Sequence, residues 1–166
     1  MPNFSTDFNS TIDKSEWLDG PWKREVDVIV WEDFHSHYQC LVRRTPMGHL
    51  CGYIRVDNTP IYKLCKESTG YYLDEFDLSV HGGITWLGDV TFTMPITHEN
   101  TTWDLCVGFD CAHSGDLSPN SHSLPYEEEV YRDEEVYRDM EYVLEETRLL
   151  AKQLKQLENL RVQYDD

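Results

Sequence analysis

The stretch VGFDCAHSGD, residues 107–116, places an apolar run directly before a cluster of side chains that exchange protons. His113 follows Asp110 by three positions, and Asp116 follows His113 by three. If Asp110 caps a helical turn, the His113 imidazole returns beside its carboxylate, which is how a general base is oriented. The same residues also suit a well hydrogen-bonded structural turn. We favour a catalytic or ligand-binding loop, because perturbed titratable groups concentrate in such clefts.

A second polar cluster, SVHGGITW, contains His81, Gly82, Gly83 and Thr85. Paired glycines allow positive φ and close approach to a ligand, and their N–H groups can face an anion. The alternative is a tight turn with a histidine at the end of a strand. A phosphate loop of the form G-x-x-x-x-G-K-[ST] is absent. We predict that His81 joins the catalytic residues and that Gly82, Gly83 and Thr85 bind ligand.

Arginines flank the turn TPMG at residues 45–48 in a chain that is otherwise acidic. Arg43 and Arg44 precede this turn, and such a gathering of bases could hold a small anion such as a phosphate. Ordinary ion pairing with nearby carboxylates explains the arginines equally well. We place Arg43, Arg44 and the aromatic Tyr53 among the predicted ligand-binding residues.

The histidines and aspartates would offer a metal ion a mixed nitrogen and oxygen ligand set: His81, Asp110, His113 and Asp116. No H-x-x-x-H or H-E-x-x-H spacing supports such a site, so the sequence predicts neither a metal nor a cofactor. A nucleophilic Cys111 with His81 or His113 is an alternative. A cysteine after a strand is more often buried and inert.

The composition restricts the classes of partner. Asp and Glu number 31 against 14 Lys and Arg, a net charge of −17, which disfavours binding to duplex nucleic acid. The acidity keeps a protein soluble, and it can also imitate nucleic acid toward a basic partner. No apolar run is long enough for a membrane span or a signal peptide, and the five cysteines form no C-x-x-C pair. We therefore predict a cytoplasmic protein with reduced thiols and no membrane partner.

The remaining pattern indicates one α+β domain, a compact and mainly antiparallel sheet with a long C-terminal helix. Residues 1–20 are predicted to be a flexible leader and residues 21–166 the domain. The turn TPMG should join two strands into a hairpin, and residues 111–128 should form a loop. Runs typical of strands occupy 25–31, 37–44, 49–56, 84–94 and 103–110.

A heptad-like stripe near the C-terminus predicts a helix over about residues 134–162. The stripe either packs on the chain's own sheet or forms an intermolecular coiled coil, which would make the protein a homodimer or a higher homo-oligomer. The echo VYRDEEVYRD repeats after six residues, so its two Tyr-Arg-Asp copies cannot share a helical face. The first copy, residues 130–133, should precede the helix or fray at its start. The stripe residues are Val136, Met140, Val143, Thr147, Leu150, Leu154 and Leu157.

Taken in order, the segments resemble a family of small bacteriophage and prophage proteins. That family carries P-M-G-x-x-C-G-Y, H-G-G-[LI]-T and G-F-D-x-A-H-x-G-D segments, followed by Y-R-D and a helix, and the resemblance covers roughly residues 20–157. The family often has His-Pro after the Gly-Tyr strand, where this chain has Asn58-Thr59-Pro60. The matching residues here are Pro46, Met47, Gly48, Cys51, Gly52, Tyr53, His81, Gly82, Gly83, Thr85, Gly108, Phe109, Asp110, Ala112, His113, Gly115 and Asp116.

The resemblance implies a phage context rather than a reaction, and phage accessory proteins of this size often counter host defences. The leading hypothesis is an anti-defence protein of the host cytoplasm that binds a small phosphate-bearing nucleotide immune signal. Whether it hydrolyses that signal or only sequesters it stays open. The alternative hypothesis is an acidic interaction protein that blocks a basic nucleic-acid-binding host enzyme.

Overall fold

The computed structural model of the protein describes residues 5–6, 12–67, 76–120 and 135–162. Its centre is a six-stranded sheet in the order β1-β2-β3-β4-β6-β5, in which every neighbouring pair is antiparallel. This confirms the predicted α+β fold with a mainly antiparallel sheet and a long C-terminal helix. The strands are β1 Ser5–Thr6, β2 Val28–Glu32, β3 Gln39–Arg44, β4 Leu50–Arg55, β5 Trp86–Thr93 and β6 Asn100–Asp110, and the α-helices are α1 Tyr62–Glu67 and α2 Met140–Val162.

The predicted hairpin at TPMG is confirmed as the β3–β4 connection. The last ladder pair joins Arg44 to Leu50, and the Gly48 N–H donates to the Thr45 carbonyl at 2.9 Å. Gly48 adopts a φ of +101°, which glycine tolerates far better than other residues. The turn therefore needs its glycine.

Helix α2 starts at Met140, later than the predicted start near residue 134. Residues 135–139 are not helical, because Val136 forms a parallel bridge with Asp116 and exchanges backbone hydrogen bonds with Gly115 and Leu117. The Asp139 carboxylate then caps the helix by accepting from the Tyr142 N–H at 2.8 Å. Val136 consequently leaves the predicted stripe and is 50% exposed. The first Tyr-Arg-Asp copy lies outside the described residues.

The rest of the stripe packs on the chain's own sheet, chiefly on β4 and β3. Thr147 lies so close to Gly52 of β4 that a side chain at Gly52 would collide with it and with Phe109. The absence of a side chain at Gly52 thus lets the helix pack closely against β4, and the apolar stripe of the helix is buried within this fold. The buried stripe residues are Met140, Val143, Thr147, Leu150, Leu154 and Leu157.

The two faces of the sheet bury different side chains, as the alternation along a strand requires. On β3, Cys40 and Val42 belong to the core beneath α2, whereas Leu41 belongs to a second cluster on the opposite face. That second cluster also contains Tyr53, Phe92 and Trp103. Adjacent residues of one strand are therefore buried in different hydrophobic clusters.

The five cysteines are free and buried, as the sequence predicts. Within the predicted leader, Ser5–Thr6 pairs with β2, and Lys14 and Trp17 are buried. No helix in the described part of the chain combines the length and the apolar character that crossing a membrane requires.

Candidate functional site

The four predicted catalytic residues lie together where β6 ends. The His81 and His113 rings are 5.7 Å apart, edge to face, and His81 Nε2 is 2.8 Å from Asp116 Oδ2. His113 Nδ1 lies 3.4 Å from the same Asp116 oxygen and 3.7 Å from Asp110 Oδ1. Two imidazoles thus converge on one carboxylate, with a second carboxylate beside them.

Strand pairing brings His81 to this loop. The Thr85 N–H donates to the Gly108 carbonyl at 3.0 Å, and the Thr85 hydroxyl donates to Asp110 Oδ2 at 2.9 Å. Residues just before β5 are therefore fixed beside the end of β6. Thr85 acts as a tether in this arrangement.

The described part of the segment after β6, residues 111–120, is a loop, as predicted, and Asp110 does not cap a helical turn in it. Asp110 Oδ1 accepts the Ala112 N–H, at 3.0 Å, two residues on. The turn closes further along, where the Asp116 N–H donates to the His113 carbonyl and the His113 N–H donates to Asp116 Oδ2 at 3.0 Å. Asp116, not Asp110, therefore organises the loop.

Glycine is required at position 82 because the His113 ring lies against its backbone. Gly82 has a φ of +68°, and a side chain there would collide with the ring. Gly83 has a φ of +84° but open space around it, and its N–H donates to the Val80 carbonyl at 2.9 Å. One of the two N–H groups predicted to face an anion is therefore already engaged.

We expect Gly82→Ala to destabilise the protein by about 2–3 kcal/mol, because it adds a collision with His113 to the backbone strain at positive φ. Gly83→Ala should cost only about 1 kcal/mol, since it adds the strain alone. Urea unfolding of both variants measures the difference, which reports the contact between Gly82 and His113. Equal losses would contradict the packing described here.

Two residues of the site were not predicted, Arg138 and Tyr142. The Tyr142 hydroxyl is 2.8 Å from His81 Nδ1, and Arg138 Nε donates to Asp116 Oδ1 at 3.0 Å. The Arg138 guanidinium also lies over the Tyr142 ring, 5.1 Å from its centroid. Both belong to the second Tyr-Arg-Asp copy and the residues after it, a repeat that the sequence shows without assigning it to a site.

Asp116 is almost fully enclosed, with 2% of its side chain exposed. Burial raises its pKa, but hydrogen bonds from His81, from the His113 N–H and from Arg138 together hold that pKa below the ordinary value. His81 contacts Asp116 Oδ2 and the Tyr142 hydroxyl at 2.8 Å each, and which ring nitrogen donates depends on the tautomer. Burial and then the Glu146 carboxylate raise the pKa of Tyr142, which favours its protonated form.

The predicted ligand-binding residues Arg43, Arg44 and Tyr53 are not part of this cluster. The Arg44 side chain has no exposed surface and is paired with Asp27 and Glu25, so it is not available to neutralise a ligand. Arg43 and Tyr53 lie together on the sheet face opposite α2, with the guanidinium 5.3 Å from the ring centroid. Alternation along β3 and β4 explains the separation.

Cys111 is also excluded as a nucleophile in this arrangement. It is 1% exposed, and burial raises its pKa far above that of a free thiol. The cysteine is a core residue of the loop.

The donor atoms of the cluster fit a metal ion as well as proton transfer. His81, His113 and Asp116 each offer one ligand atom, and these atoms lie within 4.8 Å of one another. Within the described ranges, His113 Nδ1 is a buried nitrogen without a hydrogen-bond partner.

Comparison of the chain with protein-family models, curated proteins and solved structures finds no match.

Proposed function

We propose that the protein binds a small phosphate-bearing nucleotide at the cluster of His81, Asp110, His113 and Asp116. The observation that carries the proposal is the convergence of two imidazoles and one guanidinium on a single enclosed carboxylate. Imidazole and guanidinium N–H groups are the donors that recognise phosphate oxygens, and histidine also exchanges protons near neutral pH.

Arg138 takes the charge-neutralising role that the sequence suggested for Arg43 or Arg44. Only its Nε is bonded to Asp116, and 28% of its side chain is exposed. Among the described residues its two terminal nitrogens have no hydrogen-bond partner, so they are available for a phosphate. His113, with 32% of its side chain exposed, is the histidine that a ligand reaches first.

The phage context comes from the resemblance of the sequence segments. In that context the ligand is a nucleotide immune signal of the host, and the protein is an anti-defence factor that removes it. Removal takes place either by sequestration or by hydrolysis, with His113 moving the proton and Arg138 stabilising charge on the phosphate.

The two forms of removal differ in what is recovered after the ligand has been bound. The protein is incubated with cyclic nucleotides and with ADP-ribose derivatives, and chromatography is run before and after heat denaturation. Intact ligand that reappears after denaturation identifies a sequestering protein. New products identify a hydrolase.

Loss of one histidine should weaken nucleotide binding by about 10-fold to 100-fold, the value of a hydrogen bond to a charged group. The variants are His81→Ala and His113→Ala, and His98→Ala in an exposed loop is the control. Calorimetric titration measures the affinities. Unchanged binding in both site variants would contradict the proposed site.

The net charge of −17 favours one further candidate function, that of an acidic protein that covers a basic host surface. In that case no nucleotide binds, the histidine variants behave like the wild type, and the captured partner is a host enzyme that acts on nucleic acid. The nucleotide titration and the histidine variants therefore separate the two functions.

A further inference from the structure

We propose that His81, His113 and Asp116 together bind one divalent first-row transition-metal ion. Two imidazoles and one carboxylate are the ligand set of many zinc and iron sites that keep a position open for water or substrate. The inference goes beyond nucleotide binding, since an ion can occupy the site with or without a nucleotide.

Two of the distances between the donor atoms are close to those of a coordinated set. Asp116 Oδ2 is 2.8 Å from His81 Nε2 and 3.4 Å from His113 Nδ1. In a tetrahedral zinc site with bonds of about 2.0–2.1 Å, ligand atoms lie about 3.3 Å apart. The pair with His113 already has that separation, and the pair with His81 must open by about half an ångström. The remaining pair, formed by the two histidine nitrogens, lies within 4.8 Å.

A buried nitrogen without a hydrogen bond is the second observation that points to an ion. His113 Nδ1 is inaccessible to solvent and lacks a hydrogen-bond partner in the described part of the chain, although it faces two carboxylates. A buried polar atom without a partner costs about 1–3 kcal/mol. Coordination of an ion by this nitrogen would remove the cost.

The proposed ligand side chains are themselves held by hydrogen bonds, as ligands of metal sites commonly are. Tyr142 is hydrogen-bonded to the second nitrogen of His81, Nδ1, and Arg138 is hydrogen-bonded to the second oxygen of Asp116, Oδ1. Such outer contacts fix the ring orientation and the tautomer of a ligand. Coordination of an ion at His81 Nε2 would move the ring proton to Nδ1, from which it would donate to the Tyr142 oxygen.

The thiols of the protein are poor competitors for the ion. All five are buried, and burial raises the pKa of Cys51 to about 11 and that of Cys106 to about 12. Metal ions bind the thiolate form. Asp110, whose Oδ1 is 3.7 Å from His113 Nδ1, is the nearest additional oxygen, and water or a phosphate oxygen would fill an open position.

The test is equilibrium dialysis of the full chain against Zn²⁺, with metal analysis and a Co²⁺ absorption spectrum. We expect one ion per chain and a spectrum of nitrogen and oxygen ligands without a thiolate charge-transfer band. His113→Ala and Asp116→Asn should each weaken Zn²⁺ binding at least about 100-fold, and Tyr142→Phe about 10-fold. His37→Ala is the matched control, because His37 and Glu32 form an exposed histidine–carboxylate pair.

Thermal unfolding followed by circular dichroism shows whether each variant is folded. If a ligand variant does not fold, the milder Tyr142→Phe decides the question. Absence of a bound ion, a thiolate band, or equal affinity in the site and control variants would overturn the proposal. If the protein binds an ion but no nucleotide, this inference stands and the proposed function is refuted. If it binds a nucleotide but no ion, the proposed function stands and this inference is refuted.

Discussion

Replacement of Arg44 by methionine should lower the free energy of unfolding by about 3 kcal/mol or more, the cost of breaking a buried ion pair by removing one partner. The Arg44 guanidinium donates to Asp27 Oδ1 at 2.7 Å and to the Gly48 carbonyl at 2.9 Å, and it is paired with Glu25. Without it, the buried Asp27 carboxylate and the partly buried Glu25 carboxylate lose a cation. Lys14 still contacts Asp27 at 2.8 Å, which keeps the loss near the lower end of the range for buried pairs.

Arg43 provides the matched control because it is the neighbour of Arg44 on the same strand and lies on the opposite face. It donates to the Thr91 carbonyl at an exposed position, so Arg43→Met should change stability by less than about 1 kcal/mol. Guanidinium chloride unfolding at neutral pH measures both variants. Similar losses would contradict the assignment of the two arginines to different environments.

Asp116→Asn should lower stability at neutral pH by about 1.5–3 kcal/mol and also weaken nucleotide and metal binding. The carboxylate accepts hydrogen bonds from His81, from the His113 N–H and from Arg138, and the amide of asparagine keeps only one acceptor oxygen. Because the ligand proposals depend on this oxygen pair, the variant affects both the fold and the function.

The stability difference between the wild type and Asp116→Asn should depend on pH. The pKa of Asp116 is lowered in the folded state, so its contribution is complete above the unfolded pKa of about 3.9 and disappears as the pH falls through the folded pKa. Unfolding curves from about pH 7 to pH 2 should therefore converge at the acid end. Asp110→Asn, at a carboxylate that is 32% exposed, is the control and should show a smaller difference at neutral pH. A difference that stays constant into acid would be inconsistent with the low pKa.

The sequence was sufficient for the sheet, the hairpin and the helix stripe because local periodicity determines them. Two β-rich runs around a Pro-Gly turn predict β3 and β4, and a spacing of three and four predicts the buried face of α2. The start of the helix was wrong because Val136 pairs with Asp116, a contact between residues 20 positions apart that no local pattern reveals.

The same distinction applies to the site. The relation of His113 to Asp110 and Asp116 is local, and the sequence predicts it. The approach of His81 depends on the pairing of β5 with β6, and that of Tyr142 on the seating of α2 over Gly52. Arg43 and Arg44 were grouped because they are adjacent, although adjacent residues of a strand point to opposite faces.

The contacts between the site and the C-terminal segment that begins with the Val136–Asp116 bridge have a consequence for synthesis of the protein on the ribosome. His81 can contact Tyr142 only after 61 further residues have been synthesised, and Asp116 can contact Arg138 only after 22 further residues. A nascent chain that has completed its sheet but not its last helix therefore holds two histidines and two aspartates without the groups that orient them. The contacts that orient these groups and the packing of the last helix therefore form together, late in synthesis.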